Sequence, residues 1–179
     1  MKKIISNTRA FTLIELLMTL AILGLVLFPL YEFLRQAALA WQTGETKTEV
    51  VQNARSGVDK LCDELRQARA LYVFSPAAVS FWWEDLDDDE IADPNEIITY
   101  AWSGTSGQPL LRQLDSEAAA SPLANHIDNF QLLYHNASGA QTSVAAEIKY
   151  IAVFLRTKKI AGGQTFTTSM HKAVGLRNL

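Results

Sequence analysis

A continuous run of apolar residues near the amino terminus constrains the fold of this chain more than any other feature. The run covers residues 11–31, and its few interruptions are two threonines, one glutamate, one glycine and one proline. As an α-helix, its 21 residues would span about 31 Å, which is roughly the thickness of the hydrocarbon core of a bilayer. We therefore expect one membrane-spanning helix at the start of the chain.

Three basic residues, Lys2, Lys3 and Arg9, precede this run, and the first ten residues contain no acid. Positively charged flanks tend to remain in the cytoplasm, so the leader is expected on the cytoplasmic side of the membrane. The sequence thus predicts a single pass in which everything after the apolar run is exported.

Two simpler interpretations of the run are open. It could be an uncleaved signal anchor, or a secretory signal cleaved after the small-x-small sequence Ala38-Leu39-Ala40. The second fits less well, because the run exceeds the usual apolar region of ~7–15 residues. Glu32 and Arg35 also lie between the run and that cut.

A glutamate, Glu15, lies inside the apolar run. An acidic residue at the centre of a membrane helix costs about 2.5–3.5 kcal/mol on insertion scales. Such a residue is a functional hypothesis by default, and it needs a partner.

The residues around Glu15 resemble a known processing motif. Arg9-Ala10-Phe11-Thr12-Leu13-Ile14-Glu15 is similar to the cleavage and methylation motif of type IV pilins and type II secretion pseudopilins. The resemblance implies that a prepilin peptidase cuts between Ala10 and Phe11, that Phe11 becomes N-methylated, and that Glu15 supports filament assembly. The residue before the cut is usually glycine in that family, whereas this chain has Ala10.

The carboxy-terminal part resembles the same family. Residues 127–134 and the ending 174–179 are similar to minor pilins of the PilW type and to J-class minor pseudopilins of type II secretion. The resemblance implies a minor subunit at the tip of a filament, held first in the inner membrane with its carboxy-terminal domain in the periplasm. Its implied partners are other major and minor pilin subunits, the prepilin peptidase and the inner-membrane assembly platform. The alternative is a membrane-anchored periplasmic binding module, with calcium as its candidate ligand, that never enters a filament.

The pattern of the whole chain predicts an α+β fold, in which a long amino-terminal helix packs on a mostly antiparallel sheet. We expect a leader (1–10), a transmembrane and filament-core helix (11–34), an amphipathic continuation (35–69) and a β-rich head (70–179). Within the continuation, apolar residues recur at helical spacing from Val51 to Ala68. Short runs rich in β-branched and aromatic residues predict strands at 70–74, 79–83, 96–102, 110–114, 130–134, 147–156 and 165–176. A short helical turn is expected at 121–127, and hairpin turns at 136–139 and 161–163.

Residues 84–96 form an acidic segment in which eight of thirteen residues are aspartate or glutamate. Counted from Asp85, acids occupy positions 1, 3, 5, 9 and 12 of a twelve-residue calcium loop, and a backbone carbonyl falls at position 7. The candidate ligands are Asp85, Asp87, Asp89, Ile91, Asp93 and Glu96. Position 6, normally glycine, is Glu90, and a solvated acidic turn without a metal is the competing interpretation.

Charge and motif content exclude other function classes. The formal net charge is −3, and loss of the three leader cations would change it to −6, which argues against nucleic-acid binding through a basic surface.

Cys62 is the only cysteine, so no intrachain disulfide can form, and its place on the apolar helical face predicts buried packing. The chain has no nucleophile elbow, phosphate loop or metalloprotease motif, so we expect no enzymatic activity. We expect no required cofactor, and calcium is the one ligand that the acidic segment suggests.

Overall fold

The computed structural model describes residues 12–177. One long helix, α1 (Leu13–Gln67), opens this part of the chain. The predicted cleavage and methylation positions, Ala10 and Phe11, lie outside the described residues, as do the last two residues of the chain. The boundary between two compact units, Met1–Gln42 and Thr43–Leu179, falls within α1.

The second part of α1 presents one apolar face to the interior of the head. Val50, Ala54, Val58, Leu61 and Leu65 are all buried. They follow the spacing of three and four residues that places side chains on one face of a helix. The predicted amphipathic stripe is therefore confirmed from Ala54 onward, whereas its predicted first residue, Val51, is only partly buried and Val50 takes its place on the buried face.

Five strands after the helix form an antiparallel sheet in which each strand pairs with the next one along the chain. The strands are β1 (Ala70–Phe74), β2 (Ala78–Trp82), β3 (Ile97–Trp102), β4 (Leu110–Leu114) and β5 (Ser121–Ala124). β1 and β5 are the two edges, and a register shift interrupts the pairing of β1 with β2 between Leu71 and Val73.

A second antiparallel sheet contains three longer strands in the order β6–β7–β8. They are β6 (Ile127–His135), β7 (Tyr150–Ala161) and β8 (Gln164–Gly175), and a 3-10 helix, Ala145–Glu147, precedes β7. β7 and β8 are joined by Gly162 and Gly163, whose φ angles of +58° and +76° suit a two-residue hairpin loop. The predicted hairpin turn at 161–163 is thus confirmed.

The predicted helical turn at 121–127 is wrong. Residues Ser121–Ala124 form β5 and pair with β4, and His126 then turns the chain into β6 with a φ of +58°. Pro122 is compatible with this strand, because a proline is tolerated in an edge strand, where one side of the backbone has no partner. Residue 147, expected in a strand, lies instead in the short helix before β7.

The core of the head joins the helix to both sheets. Buried side chains of α1, such as Leu61, belong to one cluster with Phe81 and Tyr100 of the first sheet and Ile151 and Leu155 of the second. This arrangement confirms the predicted α+β class, with two antiparallel sheets.

Three charged pairs link α1 to strands of both sheets. Glu64 pairs with Arg112 of β4, Asp59 with Lys172 of β8, and Glu49 with Lys159 of β7.

Candidate functional site

The first turn of α1 is capped by a reciprocal pair of hydrogen bonds. The Glu15 amide donates to Thr12 Oγ1 at 3.3 Å, and the Glu15 carboxylate oxygen Oε2 accepts from the Thr12 amide at 3.1 Å and from the Thr12 hydroxyl at 3.0 Å. This is a capping box, which provides hydrogen-bond acceptors for backbone amides that the first turn of a helix otherwise leaves unpaired. The glutamate that we singled out as a membrane anomaly thus has a local partner in the single chain, and the Thr-x-x-Glu spacing was the signal for it.

The helix beyond this cap exposes large apolar side chains over more than six turns. Leu13, Leu17, Leu25 and Phe28 are each more than half exposed, and Trp41 is 79% exposed. Within residues 12–177, α1 is the single helix that is long and apolar enough to cross a membrane. A surface of this kind requires an apolar environment, either lipid or other helices.

The family comparison bears on this end of the chain. Residues 5–31 match the model of the prokaryotic N-terminal methylation motif. The chain therefore carries a type IV pilin-like prepilin signal, which implies processing by a prepilin peptidase, anchoring in a membrane and assembly with other pilins. Ala10, Phe11 and Glu15 all fall inside the matched segment, and their individual roles stay predictions. No significant match was found to a curated protein or to a solved structure.

The acidic segment lies in the connection between β2 and β3. One carboxylate oxygen from each of Asp85, Asp87 and Asp89 lies within 4.8 Å of the other two. In the part of the chain that the structure describes, no other group of three or more histidine, cysteine, aspartate or glutamate side chains could share a metal ion. The alternate spacing of these residues, which predicted positions 1, 3 and 5 of a calcium loop, thus brings their side chains together.

Asp85 is the buried member of this group, and its side chain is only 2% exposed. Its Oδ2 accepts from Arg69 Nη1 at 2.9 Å and from the Glu90 amide at 3.2 Å. Its Oδ1 is buried and has no hydrogen-bond partner among the described residues. The Arg69 guanidinium also lies over the ring of Trp82, with 5.3 Å between its central carbon and the ring centroid.

Glu96 lies at the carboxy-terminal end of the loop, and its carboxylate accepts hydrogen bonds from other residues of the loop and of β2. The residue is 1% exposed, and its Oε1 accepts from the Leu86 amide. Its Oε2 accepts at 3.1 Å both from Trp82 Nε1 and from the Asp93 amide. This carboxylate, which we predicted as the ligand at position 12, is therefore engaged by three protein donors and does not belong to the group of three. Asp93 does not belong to that group either.

The backbone of the loop compensates for the missing glycine. Glu90, at position 6 of the predicted calcium loop, has a φ of +58°, and Asp88 has a φ of +60°. This left-handed conformation is the one that the usual glycine supplies. Partial loss of solvent and the neighbouring Asp89 carboxylate raise the pKa of Asp87 above its ordinary value. The loop therefore concentrates negative charge at one point.

Proposed function

We propose that this protein is a minor pilin or pseudopilin that is cut between Ala10 and Phe11, methylated at Phe11, and co-assembled at the tip of a filament. The filament is a type IV pilus or a type II secretion pseudopilus. The match of residues 5–31 to the N-terminal methylation motif carries this proposal. The exposed apolar surface of the first part of α1 supports it.

Before assembly, that surface would lie in the inner membrane, with the head in the periplasm. During assembly, neighbouring helices would replace the lipid around the same side chains. Burial of apolar surface contributes about 25 cal/mol per Å² relative to water, so neither lipid nor a helix bundle would leave this segment in solvent. The partners in this scheme are major and minor pilin subunits, together with the inner-membrane assembly platform.

Glu15 would set the axial position of the subunit. Cleavage creates a new amine at Phe11, which is positively charged near neutral pH. In a filament, the Glu15 carboxylate would exchange its bonds with Thr12 for the Phe11 amine of a neighbour. An unpaired charge in the low-dielectric core would cost several kcal/mol, so the paired register would be preferred over others.

The mature amino terminus of the purified protein tests the processing step by mass spectrometry. N-methylated phenylalanine at residue 11 is the expected result. An intact leader would instead favour a membrane-anchored periplasmic binding module, for which the acidic loop is the supporting feature. A start at Trp41 would indicate secretion and would contradict both.

A pair of variants tests the role of Glu15. Glu15→Leu should be cleaved normally and should be depleted from purified filaments. Thr19→Leu is the matched control, because it also replaces a polar residue of the same helix with leucine. In the structure, the hydrogen bonds of the Thr19 hydroxyl go to two backbone carbonyls of its own helix, those of Glu15 and Leu16. Normal incorporation of Glu15→Leu would overturn the proposed role.

A further inference from the structure

We propose that the outer edge of β8 binds an extended, acidic segment of a partner protein, which joins the three-stranded sheet as a fourth strand. β8 is one of the two outer strands of this sheet, and it pairs with β7 over all twelve of its residues without a register shift. The strand contains no proline. A long and regular edge of this kind is a template for an added strand.

The hairpin between β7 and β8 shows which backbone groups of β8 face outward. A two-residue loop joins the strands, and the residues that flank such a loop, Ala161 and Gln164, form a hydrogen-bonded pair. Hydrogen-bonded and non-hydrogen-bonded pairs then alternate along the ladder. The bond from the Leu176 amide to the Lys149 carbonyl, beyond the far end of β8, keeps this alternation. The residues whose N–H and C=O groups point away from β7 are therefore Thr165, Thr167, Ser169, His171 and Ala173.

These outward groups are left uncovered in the described part of the chain. Within residues 12–177, no backbone hydrogen bond reaches β8 from outside its ladder with β7. The opposite edge of the sheet, β6, is different. The Leu132 amide donates to the Pro76 carbonyl at 2.8 Å, and the Thr142 amide donates to the Tyr134 carbonyl at 3.0 Å. An incoming segment would therefore find β6 occupied and β8 open.

The charge on the solvent-facing side of the sheet favours an acidic segment. Lys158 of β7 lies opposite Thr167, so its charge stands behind a short side chain of β8. Arg156 occupies the equivalent place opposite Ser169, where it pairs with Asp128. The strand positions that share this face include no aspartate or glutamate, and both basic side chains are exposed. Acidic side chains on the same face of an added strand would meet opposite charge.

The other face of β8 determines the alternate side chains of the segment. Phe166, Thr168 and Met170 are half-buried, and Met170 packs against the core. Side chains that share a face on neighbouring strands contact each other, so apolar side chains fit beside them. Because a strand alternates its faces at every residue, the expected segment alternates acidic and apolar residues.

A synthetic peptide tests this edge in the full-length protein, held in a non-ionic detergent. The probe is a fluorescent peptide of about twelve alternating glutamate and valine residues, which matches the length of β8. We expect saturable binding by fluorescence anisotropy. A peptide of alternating lysine and valine should bind at least about fivefold more weakly, because like charges on neighbouring strands repel.

Two N-methylated forms of the acidic peptide test whether binding uses the backbone. One form carries methyl groups on the glutamate nitrogens and the other on the valine nitrogens, so each blocks the donors of one edge of the peptide. Exactly one form should lose binding, because only one edge can face β8. Parent-like binding of both forms would overturn strand pairing.

Two variants test the place and the charge of the site. Lys158→Glu should weaken binding of the acidic peptide by about fivefold or more. Lys60→Glu is the matched control, because it makes the same charge change at an exposed position of α1. Hydrogen exchange measured by NMR should slow at the amides of Thr167 and Ser169 when the peptide binds, whereas the amide of Thr168, which already faces β7, should change less.

Three further results would overturn the proposal. They are the absence of saturable peptide binding, equal weakening by the two variants, and unchanged exchange at Thr167 and Ser169. Sedimentation of the protein alone addresses the remaining occupant: a dimer that the peptide dissociates would identify a second copy of this chain at the edge, and would also overturn the proposal. The mature amino terminus is measured separately, so failure of this site and failure of the proposed processing are distinguishable.

Discussion

The carboxylate of Glu64 on α1 and the guanidinium of Arg112 on β4 form a two-point ion pair across 48 residues of chain. Arg112 Nη2 lies 3.0 Å from Glu64 Oε1, and Arg112 Nε lies 3.1 Å from Oε2. The Tyr100 hydroxyl donates to the same carboxylate. Both charged side chains are less than one-fifth exposed, so the pair fastens the helix to the first sheet away from bulk water.

Removal of the charge on Glu64 should destabilise the head. Glu64→Gln would leave the Arg112 guanidinium largely buried without its counter-charge, and we expect a loss of about 1–3 kcal/mol in the free energy of unfolding. Asp63→Asn is the control, because Asp63 forms an exposed pair with Arg66 on the same helix and should cost less than about 0.5 kcal/mol. Urea unfolding followed by tryptophan fluorescence measures both, and equal losses would contradict the interpretation.

Gly57 should not tolerate alanine. A Cβ at this position would lie 2.8 Å from Cβ of Ala124, well inside ordinary carbon–carbon contact. Although alanine favours a helix by about 1 kcal/mol, we expect Gly57→Ala to destabilise the protein by about 1–3 kcal/mol through overpacking.

Gly44→Ala provides the opposite case on the same helix. No atom would lie within 4 Å of its new Cβ, so the variant should be more stable than the wild type by roughly 0.5–1 kcal/mol. Stabilisation by both alanines in urea unfolding would show that α1 is not in close contact with β5.

Cys62 should resist alkylation in the folded protein. Its side chain is fully buried, and burial raises the pKa of the thiol to about 11. At pH 8 only about one thiol in a thousand would be ionised, and the thiolate is the reactive form. Iodoacetamide labelling, followed by mass spectrometry, should be slow in buffer and complete in guanidinium chloride. Rapid labelling of the folded protein would contradict the predicted burial.

Asp128 should contribute stability that depends on pH. The Ser106 hydroxyl donates to its Oδ1 at 2.8 Å, and this bond, with the nearby Arg156 guanidinium, lowers the pKa of Asp128. Because the pKa is lower in the folded state, the ionised carboxylate stabilises the folded protein at pH values above the unfolded-state pKa. This stabilisation is lost as the pH falls through the lower, folded-state pKa. Asp128→Asn should therefore lose stability near neutral pH, by less than about 1 kcal/mol because Arg156 is half exposed.

The difference between this variant and the wild type should shrink as the pH falls through the lowered, folded-state pKa of Asp128, and it should vanish once the carboxylate is protonated in both states. Urea unfolding at neutral pH and at a series of acidic pH values measures the difference. A penalty that is independent of pH would mean that the side chain acts by shape and not by charge.

The local pattern predicted most of the fold. The helical stripe of α1 and the strands β1 to β4 could be predicted from the spacing and type of neighbouring residues, because these properties are local to each element. β5 was missed because it is short and contains Pro122, and its pairing with β4 depends on a register that no local pattern reveals. The division of the strands into two sheets likewise depends on long-range contacts.

In the acidic loop, too, the local sequence pattern could not reveal contacts that depend on the fold. Alternate spacing was enough to bring Asp85, Asp87 and Asp89 together. It could not reveal that Glu96 would be engaged by Trp82 and by backbone amides, because these donors are recruited by the fold around β2 and β3. The capping role of Glu15 was readable, since Thr12 precedes it by three residues.

The two edges of the five-stranded sheet have a further consequence for aggregation. β5 has four residues, one of them Pro122, and β1 has five residues with a register shift after Leu71. Short strands, proline and bulges all hinder the addition of a foreign strand to an exposed edge. Both edges of this sheet are therefore poor templates for pairing with a strand of another molecule.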